Sequence, residues 1–418
     1  MNPLIAVMVG VGVVAGCGDA LKEPCGRDSA ARCDSGRPES DADADSDADS
    51  DADSDVDVSV SVHPCAGNRT DALWMDDRDR GFVGCGTTAS GFGLFQTVNG
   101  GTDWVSVAAA SPGMDFGAFR VNHVWRDPAD ERLYVSGAHT ETDQRVVALD
   151  AAGGWTDVWT NGPTYDYSFT VGSYASGDGV RIAESLTGTG LVVSVDGADW
   201  ISGYGWWVTD GYAGLQVLDL AVARGAILGV GSTIGHPPVV YLPPREWGFA
   251  TLSGGSHLTH LWEVVPLSDG PDAFNGELWD IATDSFGNVA LAGVDHAAAH
   301  GMVYAIGTQW ADEGYDASGW RAYNVAELFG ASRATWARGV CREGSQIVAV
   351  GEFSALGDGF MIRSRDGGQT FTDVTPALAA AMPSGASLAP LHRCQFADPT
   401  TVIAAGADGA FVRYSWSD

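Results

Sequence analysis

The sequence predicts an all-β fold, a β-propeller of repeated four-stranded sheets, and three observations lead to it. A short, alternating apolar strand that usually ends in glycine returns seven times after residue 72. The ends of these copies lie 47 to 62 residues apart, and one propeller blade needs about 40 to 50 residues. Turns rich in Asp, Gly and Pro separate the strands, and 15 Trp, 15 Phe and 11 Tyr supply apolar area for a core.

The seven copies predict seven blades over residues 56–418. Six copies end in glycine and one ends in glutamate: Gly86, Gly137, Glu184, Gly231, Gly293, Gly351 and Gly406. The last copy leaves room for about three strands, so we expect the alternating segment 56–62 to supply the fourth and close the ring. Six blades, two packed β-domains and a β-sandwich with turn-rich hairpins are the alternatives that the spacing leaves open.

Residues 1–16 are expected to be an export signal. The apolar run from Leu4 to Ala15 is shorter than the roughly 20 residues that span a bilayer. The run is followed by Gly16 and Cys17, and the segment Val13-Val14-Ala15-Gly16-Cys17 resembles the lipobox of bacterial lipoproteins. In that family the signal peptide is cut before the cysteine and the thiol carries lipid. The resemblance therefore implies lipidation of Cys17 and a location at the outer membrane or cell surface of a bacterium.

Residues 17–55 are expected to form a disordered acidic linker. Aspartate alternates with Ala, Ser or Val from Asp41 to Asp57, and the repulsion between these charges extends the chain. Calcium binding is the alternative, because dense carboxylates supply oxygen ligands. The run lacks the glycine turn and the closing glutamate of known calcium loops, which favours a spacer.

The charge balance narrows the partners. The chain has 54 acidic and 22 basic residues, a formal net charge of -32, which repels nucleic acid and anionic headgroups. We therefore expect that the protein does not bind nucleic acid. We also expect a monomer that contacts a membrane through its lipid and has a protein or a glycan as its ligand.

The cysteines indicate an oxidising compartment. If Cys17 carries lipid, six cysteines remain, an even number that predicts three disulfides in an exported chain. Fifteen pairings are possible in principle. The pairs that we favour are Cys25 with Cys33, Cys65 with Cys85, and Cys341 with Cys394.

Two turns share a further pattern. Residues 97–104 read TVNGGTDW and residues 364–371 read SRDGGQTF, with a shortened copy, SVDGADW, at 194–200. These segments resemble the Asp-box, or BNR repeat, of propellers such as sialidases, sortilin-like receptors and photosystem assembly factors. The box is structural in those families: Asp or Asn binds turn amides, Gly adopts positive φ and the aromatic packs into the blade. The matching positions are Asn99, Gly101, Trp104, Asp196, Trp200, Asp366, Gly368 and Phe371.

No catalytic, cofactor-binding or metal-binding residue is assigned. Sialidases carry a Phe-Arg-Ile-Pro motif before their Asp-boxes, whereas Phe119-Arg120-Val121-Asn122 lacks the proline and follows the first box. Histidines at His257 and His260, and at His296 and His300 beside Asp295, could hold a metal on a helix, but their Gly, Ala and Ser neighbours favour loops. Trp206 and Trp207, with Tyr204 and Tyr212 nearby, could stack a ligand, although ordinary blade packing is the simpler interpretation.

These features favour a surface-held binding module for a protein or a glycan. A divergent sialidase-like glycoside hydrolase and a structural envelope component are the alternatives, because fold alone does not give function.

Overall fold

The computed structural model describes most of the domain that the repeats predict. The residues described are 56–65, 72–85, 92–107, 115–127, 130–140, 143–150, 153–160, 171–177, 180–185, 190–194, 201–204, 217–231, 239–242, 249–252, 255–258, 263–266, 276–307, 320–354 and 357–417. The predicted signal peptide, the lipidated cysteine and the acidic linker lie outside these residues. Residues 53–418 belong to one compact unit.

The first strand, β1 (Val56–Val62), is followed by four sheets, numbered I to IV along the chain. Sheet I contains β2 (Ala72–Met75), β3 (Gly81–Gly84), β4 (Leu94–Thr97) and β5 (Val105–Ser106). Sheet II contains β6 (Arg120–Arg126), β7 (Leu133–Thr140), β8 (Asp143–Leu149) and β9 (Trp155–Thr160). Sheet III contains β10 (Val171–Gly177), β11 (Val180–Ser185), β12 (Gly190–Ser194) and β13 (Ile201–Tyr204). Sheet IV contains β14 (Val217–Ala223), β15 (Ala226–Gly231), β16 (Val239–Leu242) and β19 (Glu263–Pro266).

Three more sheets follow. Sheet V contains β20 (Gly276–Thr283), β21 (Val289–Asp295), β22 (His300–Ile306) and β23 (Arg321–Asn324). Sheet VI contains β24 (Trp336–Glu343), β25 (Gln346–Phe353), β26 (Asp358–Ser364) and β27 (Thr372–Asp373). Sheet VII contains β28 (Leu391–Asp398), β29 (Thr401–Gly406), β30 (Ala410–Trp416) and β1.

The part of the chain that the structure describes thus contains seven four-stranded sheets, and all neighbouring strands within them pair antiparallel. The first strand of each sheet contacts the first strands of the two sheets beside it, and the circle closes between β28 and β2. The protein is therefore a β-propeller with its first strands around a central channel, as predicted. The number of blades stays a prediction, which these sheets support.

The seven repeated strands of the sequence are the second strands of the seven sheets. Their terminal glycines have a steric cause, because the second strand passes very close to the first. A Cβ at Gly137 would overlap the carbonyl oxygen of Arg120, and a Cβ at Gly351 would overlap that of Trp336. The same close approach to a backbone carbonyl occurs at Gly293 and Gly406.

The core lies between neighbouring sheets. Sheets IV and V share a cluster that includes Leu228, Leu278 and Leu291, all fully buried. Sheets VI and VII pack in the same way through residues such as Val348 and Val402. Burying one such side chain contributes about 1.5 to 3 kcal/mol, so the ring is held by the faces between its sheets.

Strand β1 closes the ring as predicted. It pairs with β30 from Val56 opposite Trp416 to Val62 opposite Ala410, and the valines at 56, 58 and 60 pack onto the core of sheets VI and VII. His63 follows the strand and is 1% exposed. Its Nδ1 accepts a hydrogen bond from the amide of Cys65 at 3.1 Å, so its Nε2 donates to the carbonyl of Gly406 at 3.3 Å. Burial outweighs this bond and lowers the pKa of His63 from 6.5 to about 4.

The segment between β16 and β20 contains secondary structure. It holds a hairpin of β17 (Phe249–Leu252) and β18 (Gly255–Leu258), followed by strand β19 of sheet IV. Two short helices are described, α1 (Ala326–Phe329) and α2 (Thr375–Ala381). Neither these nor any other helix of the described residues has the length and apolar character needed to cross a membrane.

Candidate functional site

The first strands shape the central channel by an irregularity that they share. The pairing register between first and second strand shifts in sheets II to VII, for example between Leu278 and Asp280 and between Leu391 and Arg393. A bulge of this kind turns the following side chain away from its regular position. In three sheets the residue after the shift is charged: Asp219 in sheet IV, Asp280 in sheet V and Arg393 in sheet VII.

These three residues form an ion triad across the channel. Arg393 Nη1 lies 2.9 Å from Asp219 Oδ2 and also binds Asp280 Oδ1. The guanidinium of sheet VII therefore reaches past sheet VI to carboxylates of sheets IV and V. Asp219 and Asp280 are only 2% and 3% exposed.

Each carboxylate of the triad also binds the backbone of the next sheet. Asp219 Oδ2 accepts from the amide of Ile281 at 3.3 Å, and Asp280 Oδ2 accepts from the amide of Val340 at 2.7 Å. Buried carboxylates are tolerated when hydrogen bonds and counter-charges satisfy them. The triad is therefore structural: it fastens sheets IV, V, VI and VII to one another around the axis.

A cavity of about 340 Å³ opens on one side of the triad. We call it the channel cup. Its lining runs along the first strands from the triad to the strand ends, at residues such as Trp74, Trp125, Glu343 and Phe396, and we call the latter end its mouth. Asp280 and Thr283 both line it and are three residues apart, so the cup is roughly 10 Å deep at the usual rise of a strand.

Two of the charged residues beside the mouth are already satisfied. Asp284 accepts from the amides of Phe286, Asn288 and Gly344 and from the side chain of Asn288, at 2.6 to 3.0 Å. Arg342 Nη1 donates to the carbonyls of Val289 and Ile306 at 2.6 and 2.8 Å, which commits this guanidinium to the sheet V backbone. Burial lowers the pKa of Arg342.

Glu343 differs from both. It is half-buried at the end of β24, and its carboxylate forms no hydrogen bond or ion pair with the described residues. Burial, and then the negative charge of Asp284, raise the pKa of Glu343. The mouth therefore holds a carboxylate whose charge the described side chains do not balance.

Both predicted disulfides within the described residues are confirmed. Cys65 pairs with Cys85, and Cys341 pairs with Cys394. The second bond joins the first strands of sheets VI and VII, and both of its cysteines line the channel cup. The pair predicted for Cys25 and Cys33 lies outside the described residues.

The turns that resemble Asp-boxes have matching hydrogen bonds. In the first, Thr97 Oγ1 accepts from the amide of Gly101 and Asn99 Oδ1 accepts from that of Asp103, both at 2.9 Å. In the second, Ser364 Oγ accepts from the amide of Gly368 and Asp366 Oδ1 accepts from that of Thr370, again at 2.9 Å. The glycine pairs at 100–101 and 367–368 all have positive φ.

The aromatic that ends each turn packs inward. Trp104 meets Phe411 edge to face, with ring centroids 5.2 Å apart, and Phe371 packs on Tyr323 at 4.6 Å. Burial raises the pKa of Asp366, but hydrogen bonds from Thr370 and its neighbours prevail and lower it to about 2. The assignment to the Asp-box type stays a prediction. Asp196 and Trp200, of the shortened copy, lie outside the described residues.

The other sequence candidates do not meet in one described site. Asp295 ends β21 and accepts hydrogen bonds from the amides of the next turn, while His300 Nε2 binds the carbonyl of Ala331. His296 Nε2 lies 3.6 Å from Glu277. His257 is on β18, whereas His260, Trp206, Trp207 and Tyr212 are outside the described residues. Tyr204 ends β13. The described residues contain no cluster of three or more His, Cys, Asp or Glu arranged for a metal.

Phe119, from the string compared with the sialidase motif, is fully buried between sheets I and II. Its neighbours Arg120, Val121 and Asn122 begin β6. These four residues therefore have a structural role at the start of the first strand of sheet II.

Sequence reasoning missed the triad and the cup. A signal for the triad exists: Leu218-Asp219-Leu220 and Trp279-Asp280-Ile281 each place a carboxylate inside an apolar strand, one strand before the repeat. The bulge that directs these side chains, and the pairing with Arg393 from a distant sheet, depend on the closed ring. Neither is visible in a linear sequence.

No protein-family model matches the chain, and no curated protein sequence matches it. Solved structures do match. YCF48 bound to D1 peptide has a TM-score of 0.55 at 14% identity, with 86% of this chain and 95% of that chain covered. Virginiamycin B lyase from Staphylococcus aureus has a TM-score of 0.54 at 10% identity, with 87% and 100% covered.

A GH74 xyloglucanase from Xanthomonas campestris is also similar, with a TM-score of 0.50 at 14% identity. The match covers 85% of this chain but 53% of the xyloglucanase. All three likenesses concern the fold, and at this identity they support the β-propeller architecture alone.

Proposed function

We propose that this protein is a bacterial envelope lipoprotein, anchored by lipid on Cys17, whose propeller binds a protein or glycan ligand without hydrolysing it. The observation that carries the binding role is the channel cup, a cavity of about 340 Å³ lined by the ion triad and by polar and aromatic side chains. Ligand sites are commonly concave, of roughly 300 to 1,000 Å³, with a few polar groups among apolar walls.

The state of the charged groups favours binding over catalysis. A pair of carboxylates in a glycosidase must reach the scissile bond or a water molecule. Asp219 and Asp280 are almost fully buried, and both are held by Arg393 and by backbone amides. They are therefore poorly placed for proton transfer to a ligand.

The sialidase-like alternative needs three arginines that converge on a substrate carboxylate. Among the described residues that line the cup, the arginines are Arg342 and Arg393, and both are engaged by the protein itself. The neighbouring aspartates would also repel a carboxylate substrate. The peptide-bound YCF48 structure shows that a similar fold can hold a peptide, which supports the binding role.

Fractionation of the native host tests the anchor. We expect the Cys17→Ala variant to leave the membrane fraction, because the lipid would have no attachment site. The Cys25→Ala variant, which also lacks one cysteine, should stay with the membrane. Retention of Cys17→Ala in the membrane would contradict the lipoprotein proposal.

A comparison of turnover and capture tests the binding role. Detergent-solubilised full-length protein should leave 4-methylumbelliferyl sialoside and xyloglucan uncleaved, and immobilised protein should retain a defined component of an envelope extract. Release of the fluorophore or of xyloglucan fragments would favour the hydrolase. Retention of nothing, together with an envelope defect in a deletion strain, would favour the structural alternative.

A further inference from the structure

The channel cup has an acidic excess. Among the described residues, the charged side chains that line it are the carboxylates Asp219, Asp280, Asp284 and Glu343 and the guanidiniums Arg342 and Arg393. Four described negative groups thus share this cavity with two positive ones. Such a space focuses the electrostatic field, attracts a cation and repels an anion.

Glu343 gives this field a specific contact point. Asp284 accepts hydrogen bonds from four N–H donors, and each triad carboxylate accepts one from a backbone amide of the next sheet as well as binding Arg393. The Glu343 carboxylate has no such donor among the described residues. A half-buried carboxylate without a donor is poorly solvated, and a cationic N–H group would satisfy it.

Aromatic rings form much of the rest of the mouth. Trp74, Trp125 and Phe396 come from sheets I, II and VII and line the same cavity as Glu343. Trp125 is 7% exposed and stacks on His123 and Tyr134, with centroid distances of 5.0 and 5.3 Å, so its own faces are covered. Trp74 and Phe396 are half-buried and are the rings available to a ligand. Aromatic faces attract ammonium and guanidinium groups and also pack against an aliphatic chain.

We propose that the channel cup binds the cationic side chain of a peptide, a lysine ammonium or an arginine guanidinium that meets Glu343 at the aromatic mouth. This inference deepens the proposed binding function and rests on it. The cup has a volume of about 340 Å³, and the ion triad lines it together with Glu343. The ligand is thus a projecting basic residue of a partner protein.

Calorimetric titration of the full-length protein tests the inference. The probe is the peptide acetyl-Gly-Lys-Gly-amide, and the matched probe carries an acetylated lysine, which removes the charge but keeps the chain. We expect binding of the first and not of the second. The Glu343→Gln variant should weaken binding by about ten- to a hundredfold, the usual effect of losing one charged hydrogen bond.

Glu327→Gln is the control variant, because it removes the same charge from an exposed position on α1. It should leave the affinity unchanged. Trp74→Leu keeps an apolar side chain but removes the aromatic face, and a several-fold loss is expected. An unchanged melting temperature of each variant shows that the fold is intact.

Each outcome decides the question. Equal binding of both probes, or unaltered binding by Glu343→Gln, would overturn the inference. Spermidine is the third probe: binding of spermidine without the peptide would retain the cation site but overturn the peptide source. If a captured envelope partner is retained equally by wild type and Glu343→Gln, the cup inference fails while the proposed binding function stands.

Discussion

Replacing Arg393 by methionine removes the positive charge of the triad and keeps a side chain of similar length. Asp219 and Asp280 then remain as two buried carboxylates, 2% and 3% exposed, without their shared counter-charge. Leaving a buried charge unpaired costs about 3 to 5 kcal/mol. The entropy of unfolding is about 2.1 cal/mol/K per residue, so for a domain of about 360 residues this cost corresponds to a fall in melting temperature of about 4 to 7 °C.

Thermal unfolding followed by circular dichroism measures this fall. Adding Asp219→Asn and Asp280→Asn to Arg393→Met should restore most of the loss, because no uncompensated charge remains. Arg78→Met is the matched control. Arg78 pairs with Asp398 but is half exposed, and such surface pairs contribute roughly 0 to 1 kcal/mol.

The pH dependence gives an independent check. Without Arg393 the two buried carboxylates have no counter-charge, and burial favours the neutral form of a carboxyl group. The native state would then bind more protons than the unfolded state, so the deficit of Arg393→Met should shrink as pH falls from 7 to 5. A melting temperature within 1 °C of wild type, with no gain from the two asparagine changes, would refute the charge-balance reasoning.

Three further predictions concern other parts of the ring. The pKa of His63 is lowered to about 4, so the native state binds fewer protons than the unfolded state between pH 6.5 and 4. Acidification through this range should therefore remove about 3 kcal/mol from the free energy of unfolding. The His63→Gln variant should lose this part of the pH dependence in denaturant titrations. Replacing Cys341 and Cys394 together by serine opens a link between residues 53 apart and should cost about 4 kcal/mol, seen as a lower melting temperature than wild type under non-reducing conditions. Gly351→Ala forces a Cβ into the carbonyl of Trp336 and should lower the free energy of unfolding by about 1 to 3 kcal/mol. An unchanged melting temperature would show that the first strand can move aside.

The repeat could be predicted because local packing imposes it on every sheet. In sheets II, V, VI and VII the second strand is largely buried and its final glycine lies close to a backbone carbonyl at the start of the first strand, so apolar residues and a final glycine recur in the sequence. The closing role of β1 could be predicted as well. Its alternation of valine with polar residues matches a strand with one buried face, and the last sheet lacked one strand.

The cup could not be predicted because it depends on positions that only the ring brings together. Glu343 and Trp125 are more than 200 residues apart in the sequence and approach each other only across the channel. The bulges that set Asp219, Asp280 and Arg393 toward the axis leave no regular period in the sequence. The segment between β16 and β20 contains a hairpin of β17 and β18, which the repeated strand pattern does not predict.

Strand β1 has a consequence for the order in which the chain acquires its structure. Its partner β30 ends at Trp416, two residues before the last residue of the chain. The first described strand can therefore form this pairing only after β30, the last described strand, has been made. Pairing over so long a sequence separation is slow, so ring closure is expected to be the last step of folding. Deletion of even the final strand would leave both β1 and β29 with an open edge, which is where aggregation of sheet proteins begins.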